Sequence, residues 1–161
     1  MNDVLETLRT PFLLGALVAT GLQAGTYYAW ASGVMPGLAR VDDRTFVHTM
    51  QQVNVAIVNP VFLATFLGAP ALGVLAAVAG PPSARTWLVA GAALAVATVV
   101  VTGAGNVPLN DSLEAAGAVD RIGDLAAVRA DFESSWVRLN ALRAATSTAS
   151  LLALGWAAFR A

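Results

Sequence analysis

Four apolar stretches, each long enough to cross a bilayer, set the limits on what this chain can fold into. A membrane helix needs about 20 mostly apolar residues to cross roughly 30 Å of hydrocarbon. Residues 11–35, 46–79, 86–105 and 136–159 meet that requirement. They predict an all-α chain, a single integral-membrane domain over residues 1–161, arranged as an antiparallel four-helix transmembrane bundle. Composition points the same way, because 57% of the residues are hydrophobic and only 12% are charged. A soluble domain carries about 25% charged residues, so too little charge is present here to cover a water-facing surface. The expected location is a bacterial-type plasma membrane, crossed several times.

The same scarcity excludes several kinds of function. Nine basic residues, all arginine, nearly balance ten acidic ones to give a net charge of −1, with no basic cluster or arm. Nucleic-acid binding is therefore not expected. The absence of cysteine removes disulfides, thiolate metal sites and cysteine nucleophiles together. A lone histidine, His48, rules out a multi-histidine metal cage within one chain, and no acid lies inside any span. No metal site and no cofactor are expected.

The connections order the spans. Pro11 suits the first turn of a helix, where its missing N–H costs nothing. The second stretch ends at Gly80-Pro81-Pro82 and exceeds one crossing at about 1.5 Å per residue, so its first turns, with His48, are expected at the interface. The connections at 36–45 and 80–85 are short, which makes the helices they join antiparallel neighbours. Residues 106–135 form the one long connection and hold six of the ten acids. Within it Ile122, Leu125, Val128 and Phe132 recur at helical spacing, predicting an amphipathic helix on the membrane surface or over the bundle mouth. Arg9, Arg85 and Arg160 fall at one end of the bundle and the other arginines at the opposite end, a distribution that leaves orientation unassigned.

Polar side chains inside hydrocarbon are costly unless they face a partner or a wet cavity. At about 100° per residue, Thr20, Gln23, Thr26, Tyr27 and Trp30 share one face of the first span. His48, Gln51, Gln52 and Asn59 share a face of the second, with Asn54 at its edge. Thr98, Thr102 and Asn106 step along the third, and Trp136, Asn140, Arg143 and Ser147 along the fourth. Threonines and serines at such positions commonly bond their own backbone or a neighbouring helix. Seven carboxamides, Gln51, Gln52, Asn54, Asn59, Asn106, Asn110 and Asn140, exceed what packing needs and predict a shared polar pocket, with Gln23 and Tyr27 contributing from the first span. Arg143 either snorkels to the interface or pairs with a buried acceptor. Trp30, Trp87 and Trp156 read as interfacial belt residues, whereas Trp136 sits on the polar face, where it could flank a flat ligand. His48, with an ordinary pKa near neutrality, is either a general base or an interfacial side chain bonded to a carbonyl. Small residues four apart, Gly21 and Gly25, Ala69 and Gly73, Gly91 and Ala95, permit close helix contact within the chain or between copies in a homo-oligomer.

The sharpest local feature is Gly105-Asn106-Val107-Pro108-Leu109-Asn110-Asp111. Pro108 removes a donor and biases Val107 away from helix, so the third span is expected to break there beside Asn106 and Asn110. This Asn-Val-Pro-Leu-Asn run resembles the signature of the DUF1772 family of membrane proteins, which includes the anthrone oxygenases. The resemblance takes in Met35-Pro36, then Phe46, Met50, Gln51, Asn54, Asn59 and Pro60, and finally Trp136, Asn140 and Arg143. One departure stands out: family members commonly carry a histidine where this chain has Ala141. The resemblance implies oxidation by O₂ of an activated aromatic C–H to a carbonyl, without metal or flavin. In that reaction His48 would be the base, Asn54, Asn106, Asn110 and Asn140 with Arg143 would hold the oxyanion, and Tyr27 and Trp136 would flank the rings. Its partners would be a hydrophobic aromatic small molecule, O₂ and the lipid bilayer. Two other readings are open: a bundle that binds or transports a quinone or lipid-like molecule without turnover, and an accessory membrane subunit whose amides only knit helices together.

Overall fold

The computed structural model describes residues 2–160, so the first and last residues of the expected domain lie outside it. Every regular element among the described residues is helical. Helix α1 (Asn2–Ala29) passes through a π turn (Trp30–Val34) into the short α2 (Met35–Leu38). It is followed by α3 (Asp43–Ala56), α4 (Pro60–Ala79) and α5 (Arg85–Val101). A second π turn (Thr102–Asn106) leads into α6 (Val107–Ala115), and a short 3-10 turn (Val119–Arg121) precedes α7 (Leu125–Ala158).

Three expected boundaries are corrected. The stretch at 46–79 is two helices, because Asn59 caps α4: its Oδ1 accepts from Phe62 N at 3.0 Å, and Pro60 follows at the first helical position. An N-cap amide followed by proline is a start signal, and it interrupts the apolar run at this point. The third stretch does not break at Pro108. A proline clashes with the carbonyl four residues back, but here the preceding turn widens: Val107 N bonds Thr102 O, five residues back. The helix therefore carries on through the proline. The same arrangement occurs before Pro36, where Met35 N bonds Trp30 O. Finally, the last helix begins at Leu125 rather than 136, capped by Asp124 Oδ1, which accepts from Ala127 N at 2.9 Å. The long connection shrinks to residues 116–124, opened by Gly117, the one described residue at positive φ (86°), which lacks the Cβ that would strain it.

Helix α1 packs against α4 and α7, and α5 packs against the same two helices. Two close approaches tighten this arrangement. Gly73 lies against the Ala92 backbone, and Gly91 lies beneath Leu154, where Ser150 Oγ donates to Gly91 O at 2.7 Å. A Cβ on Gly91 would come within 2.6 Å of Leu154 Cγ. Gly25, by contrast, has nothing near its Cβ position. Small residues such as Ala16, Ala76, Ala84 and Ala157 pack with Leu13, Leu88 and Leu154 at the end of the bundle near the 80–85 connection.

The opposite end is built from larger side chains. Phe46, Val47 and Met50 of α3 meet Leu113 of α6 and Phe132 and Trp136 of α7, with Ile122, Leu125 and Val128 packed against them. The amphipathic stripe is thus a core-facing surface of α7 and its approach, not a membrane-surface helix. Arg129 locks this end: Nε donates to Glu133 at 2.7 Å, Nη1 to Asp43 at 3.0 Å and to Val41 O at 2.9 Å, and Nη2 to Leu38 O at 3.3 Å. Its guanidinium sits over the Phe46 ring. The hydrogen bond it donates to Glu133 leads the influences that hold it charged even more firmly than usual. Nearby, the Thr45 hydroxyl and then its N–H hold the Asp42 carboxyl, the N-cap of α3, below its ordinary pKa.

Two helical stretches are long and apolar enough to cross a membrane, Pro60–Ala79 and the continuous Arg85–Ala115. Helices α1 and α7 turn polar residues inward (Thr20, Gln23, Asn140, Arg143, Ser147, Ser150) and leave Leu14, Val18, Leu22, Leu152 and Trp156 exposed. Their inward faces therefore mix these polar residues with apolar ones such as Leu13, Ala16 and Leu154.

Candidate functional site

The site is organised by α7, whose residues at three- and four-residue steps point into the bundle. Asn140 is buried at the junction with α1: its Nδ2 donates to Tyr27 O at 3.1 Å, and its Oδ1 accepts from Arg143 Nη2 at 3.0 Å. That second bond directs the guanidinium between two rings, 4.6 Å from the Tyr27 centroid and 5.1 Å from that of Trp136. Only 7% of Arg143 is exposed, and no carboxylate pairs with it among the described residues. Its Nε makes no hydrogen bond. The cation is held by one amide oxygen and two π faces, each face contributing about 0.5 to 2 kcal/mol.

Trp136 is fixed in turn. Its Nε1 donates to Asn110 Oδ1 at 3.0 Å, and its ring lies 5.3 Å from that of Trp30. The π turn at Thr102–Asn106 decides which way Asn110 points, because it adds a residue to the turn that precedes α6. The Tyr27 hydroxyl lies near Thr102 without a well-formed hydrogen bond, and Thr102 Oγ1 donates to Thr98 O at 2.8 Å.

These residues wall a cavity of about 170 Å³. Tyr27 comes from α1 and Trp30 from the π turn that follows it, Asn54 from α3, Phe62 and Phe66 from α4, and Asn110, Trp136 and Arg143 from α6 and α7. Among the described residues that line it there is no Asp, Glu or His. Its lining residues carry donors and aromatic faces, and among their donors Arg143 Nε and Asn54 Nδ2 are buried without a partner. A ligand rich in acceptors, flat enough to lie among the rings, matches that chemistry.

Of the residues singled out in the sequence, Tyr27, Asn54, Asn110, Trp136 and Arg143 meet at this cavity. Asn140 stands behind it with both amide ends engaged, which makes it the residue that aims Arg143. Others go elsewhere. His48 is exposed and lines a separate surface depression of about 490 Å³ with Gln51, Gln52, Glu114, Asp120 and Arg121. Gln51 is occupied as well, donating to Leu113 O at 3.0 Å and Gly117 O at 2.9 Å and so closing the end of α6. Asn59 serves the α3–α4 break. Gln23 lies a turn further into the bundle, donates to Thr65 Oγ1 at 2.8 Å, and borders with Thr20 and Ser147 a void of about 10 Å³, room for one water. Asn106 is fully buried, with neither Oδ1 nor Nδ2 hydrogen-bonded, and is not among the cavity-lining residues. It lies within the π turn, and the structure gives no physical account of its unpaired amide.

Trp30 was readable as a belt residue but belongs to the site. Its position three residues after Tyr27, on the same helical face, was the available signal. Phe62 and Phe66 had no such signal, because the α4 sequence is apolar all round. Trp87 and Trp156, the other two tryptophans expected in a belt, pack edge to face at 6.2 Å and are exposed.

Comparison with known proteins follows the site closely. Residues 50–153 match the family model described as anthrone oxygenase, a span that reaches from the start of the cavity wall on α3 to well beyond Arg143 on α7. The chain belongs to the anthrone oxygenase family. Neither a curated protein nor a solved structure matches it. The family match covers Asn54, Asn110, Trp136, Asn140 and Arg143 and omits α1 and the π turn after it, which supply Tyr27 and Trp30. In this member of the anthrone oxygenase family Ala141 is exposed, on a different side of α7 from its buried neighbour Asn140.

Proposed function

We propose that the protein is an integral membrane oxygenase that crosses the bilayer four times and oxidises an anthrone-type aromatic in the Arg143 cavity. The observation that carries this reading is a buried guanidinium without a carboxylate, held between aromatic rings at the wall of a cavity whose lining has no acid. A cation in that setting calls for an anion supplied from outside the chain. Four crossings are supported by the exposed apolar faces of α1, α4, α5 and α7.

The chemistry follows from the ligand such a site favours. An anthrone loses a proton from its CH₂ carbon to give a conjugated anion whose charge rests on oxygen. A fixed positive charge about 4 to 6 Å away favours that charged form, and donors preset for the oxyanion stabilise it further. The anion gives one electron to O₂, and the carbon radical and superoxide then combine to form a C–O bond. The peroxide takes up a proton. Loss of the second C–H proton with cleavage of the O–O bond leaves the carbonyl and releases water, so one anthrone and one O₂ give one quinone and one water. Arg143 holds the oxyanion, Tyr27, Trp30 and Trp136 stack around the rings, Asn54 and Asn110 offer the remaining polar contacts, and Asn140 positions Arg143. His48, outside the cavity, is not part of this scheme; the cavity assists proton loss by binding the anion it produces.

Purified protein in lipid nanodiscs, given an anthrone, is expected to form the quinone faster than the uncatalysed solution and to consume O₂ in equal amount. Arg143→Met should slow this by about 100-fold or more, the usual effect of losing an oxyanion donor. A rate equal to that of wild type would overturn the assignment.

A further inference from the structure

The cavity has a mouth, and the residues around it indicate what lies outside. Val58, at the break between α3 and α4, lines the cavity and is 67% exposed, while Leu63 of α4 and Val107 of α6 line it and are 37% and 42% exposed. All three are apolar. The outer surface next to them is apolar as well, with Val55 and Val61 on either side of the break and Leu67 further along α4. Helix α4 is one of the two stretches able to span hydrocarbon, and Phe62, Leu63 and Phe66 belong to its first two turns. The mouth therefore opens at the level where the apolar part of the helix begins.

A break in a helix at that depth normally faces protein or water, because lipid satisfies no backbone group. Here one side chain satisfies two of those groups. Asn59 Nδ2 donates to Ala56 O at 2.9 Å, and its Oδ1 accepts from Phe62 N at 3.0 Å. A single side chain thus serves both an acceptor at the end of α3 and a donor at the start of α4, which lets an irregular stretch of backbone border acyl chains. Just inside, the Phe62 and Phe66 rings stack at 5.6 Å and 12°, giving the entrance an apolar wall.

We infer that the cavity is entered sideways from the hydrocarbon, between the α3–α4 break and the start of α6, and that lipid acyl chains cover this mouth when no ligand is bound. The inference rests on the membrane-spanning reading of the chain and specifies the substrate class of its site: a flat aromatic, dissolved in the bilayer, that meets its countercharge only at Arg143. A ring system carrying a fixed sulfonate is excluded by the mouth although Arg143 would attract it.

The natural lack of cysteine allows a clean test. Val58→Cys carries a nitroxide spin label in protein reconstituted into phosphatidylcholine vesicles, with Gln52→Cys, exposed in the His48 depression, as the comparison position. Collision with O₂, which concentrates in hydrocarbon, is measured against collision with a water-soluble nickel chelate. The label at Val58 should favour O₂ and the label at Gln52 the chelate. The same preference for the chelate at both positions would overturn the inference. If Val58→Cys does not fold, Val107→Cys on the opposite lip serves in its place, with the same two outcomes. A second arm adds 9,10-anthraquinone to the vesicles or its 2-sulfonate to the water. Slowed label motion with the first and not the second is expected, and slowing by the sulfonate alone would overturn the lipid route. A label that favours O₂ yet responds to neither compound would support the lateral mouth and count against the aromatic substrate instead, so the two readings fail separately.

Discussion

Two arginines on α7 pack in similar ways and do opposite things. Arg129 and Arg143 each place a guanidinium over an aromatic face, at 4.5 Å from Phe46 in one case and 4.6 Å from Tyr27 in the other. Around Arg129 the chain supplies two carboxylates and two carbonyls, so every demand of the cation is met from within. Around Arg143 it supplies one amide oxygen. The first arginine closes a structure; the second leaves an electrostatic demand open. Stacking an arginine on a ring therefore says little about its purpose, and the count of acceptors around it says more.

Substitution should separate the two most sharply at Arg143. Arg143→Met is expected to lower kcat/KM for quinone formation by about 100-fold or more while leaving thermal unfolding unchanged or raised, because it removes a buried charge that lacks a carboxylate partner. A large fall in melting temperature would mean that Arg143 is structural after all, and would erase the contrast. Arg129→Met should do the reverse, costing about 2 kcal/mol of stability in a denaturant titration, since hydrogen bonds to charged groups contribute about 1.5 to 3 kcal/mol each and Asp43 and Glu133 are partly solvated. Its activity per folded molecule should match wild type. Asn140→Leu falls between them: with its acceptor gone Arg143 loses its aim, and kcat should drop about tenfold, equivalent to about 1.4 kcal/mol. KM should change less, as suits a residue that positions another.

The smallest effect expected is on acid sensitivity at the Arg129 end. Asp42 caps α3, and its carboxyl is held below the ordinary value by Thr45. A carboxylate whose folded pKa is lowered adds stability above its unfolded pKa, near 3.9, and that contribution is lost as pH falls through the folded value. Unfolding measured between pH 6 and pH 3 should therefore show a slightly shallower acid dependence in Asp42→Ala than in wild type. Identical curves would remove Asp42 from this account.

The contrast between the arginines also shows what could be read in the sequence. Inward polar stripes on α1 and α7 were legible, because in a chain this apolar a periodic polar residue has few places to go. Tyr27, Trp136 and Arg143 followed from that periodicity. The structural role of Arg129 did not, since its partners Leu38, Val41 and Asp43 are distant in the chain and two of them act through backbone carbonyls, which carry no sequence signature. His48 and Gln51 misled for a related reason: a shared helical face shows which residues point together but not which helix they meet, and the break at Asn59 separates α3 from the bundle face that α4 occupies. That break was visible as Asn59-Pro60. It is masked by the apolar residues 55–58 and 61–64 on either side.

Pro108 carries the opposite lesson, and the π turn before it has a consequence for how such a site could change over time. Each residue of a helix turns the chain by about 100°, so removing a single codon within Gly103–Asn106 would close the π turn, press Pro108 against the turn before it and swing α6 by roughly that angle. Asn110 would leave Trp136, and Val107 would leave the mouth. A one-residue length change, with no alteration to any residue of the cavity itself, would be enough to disassemble it.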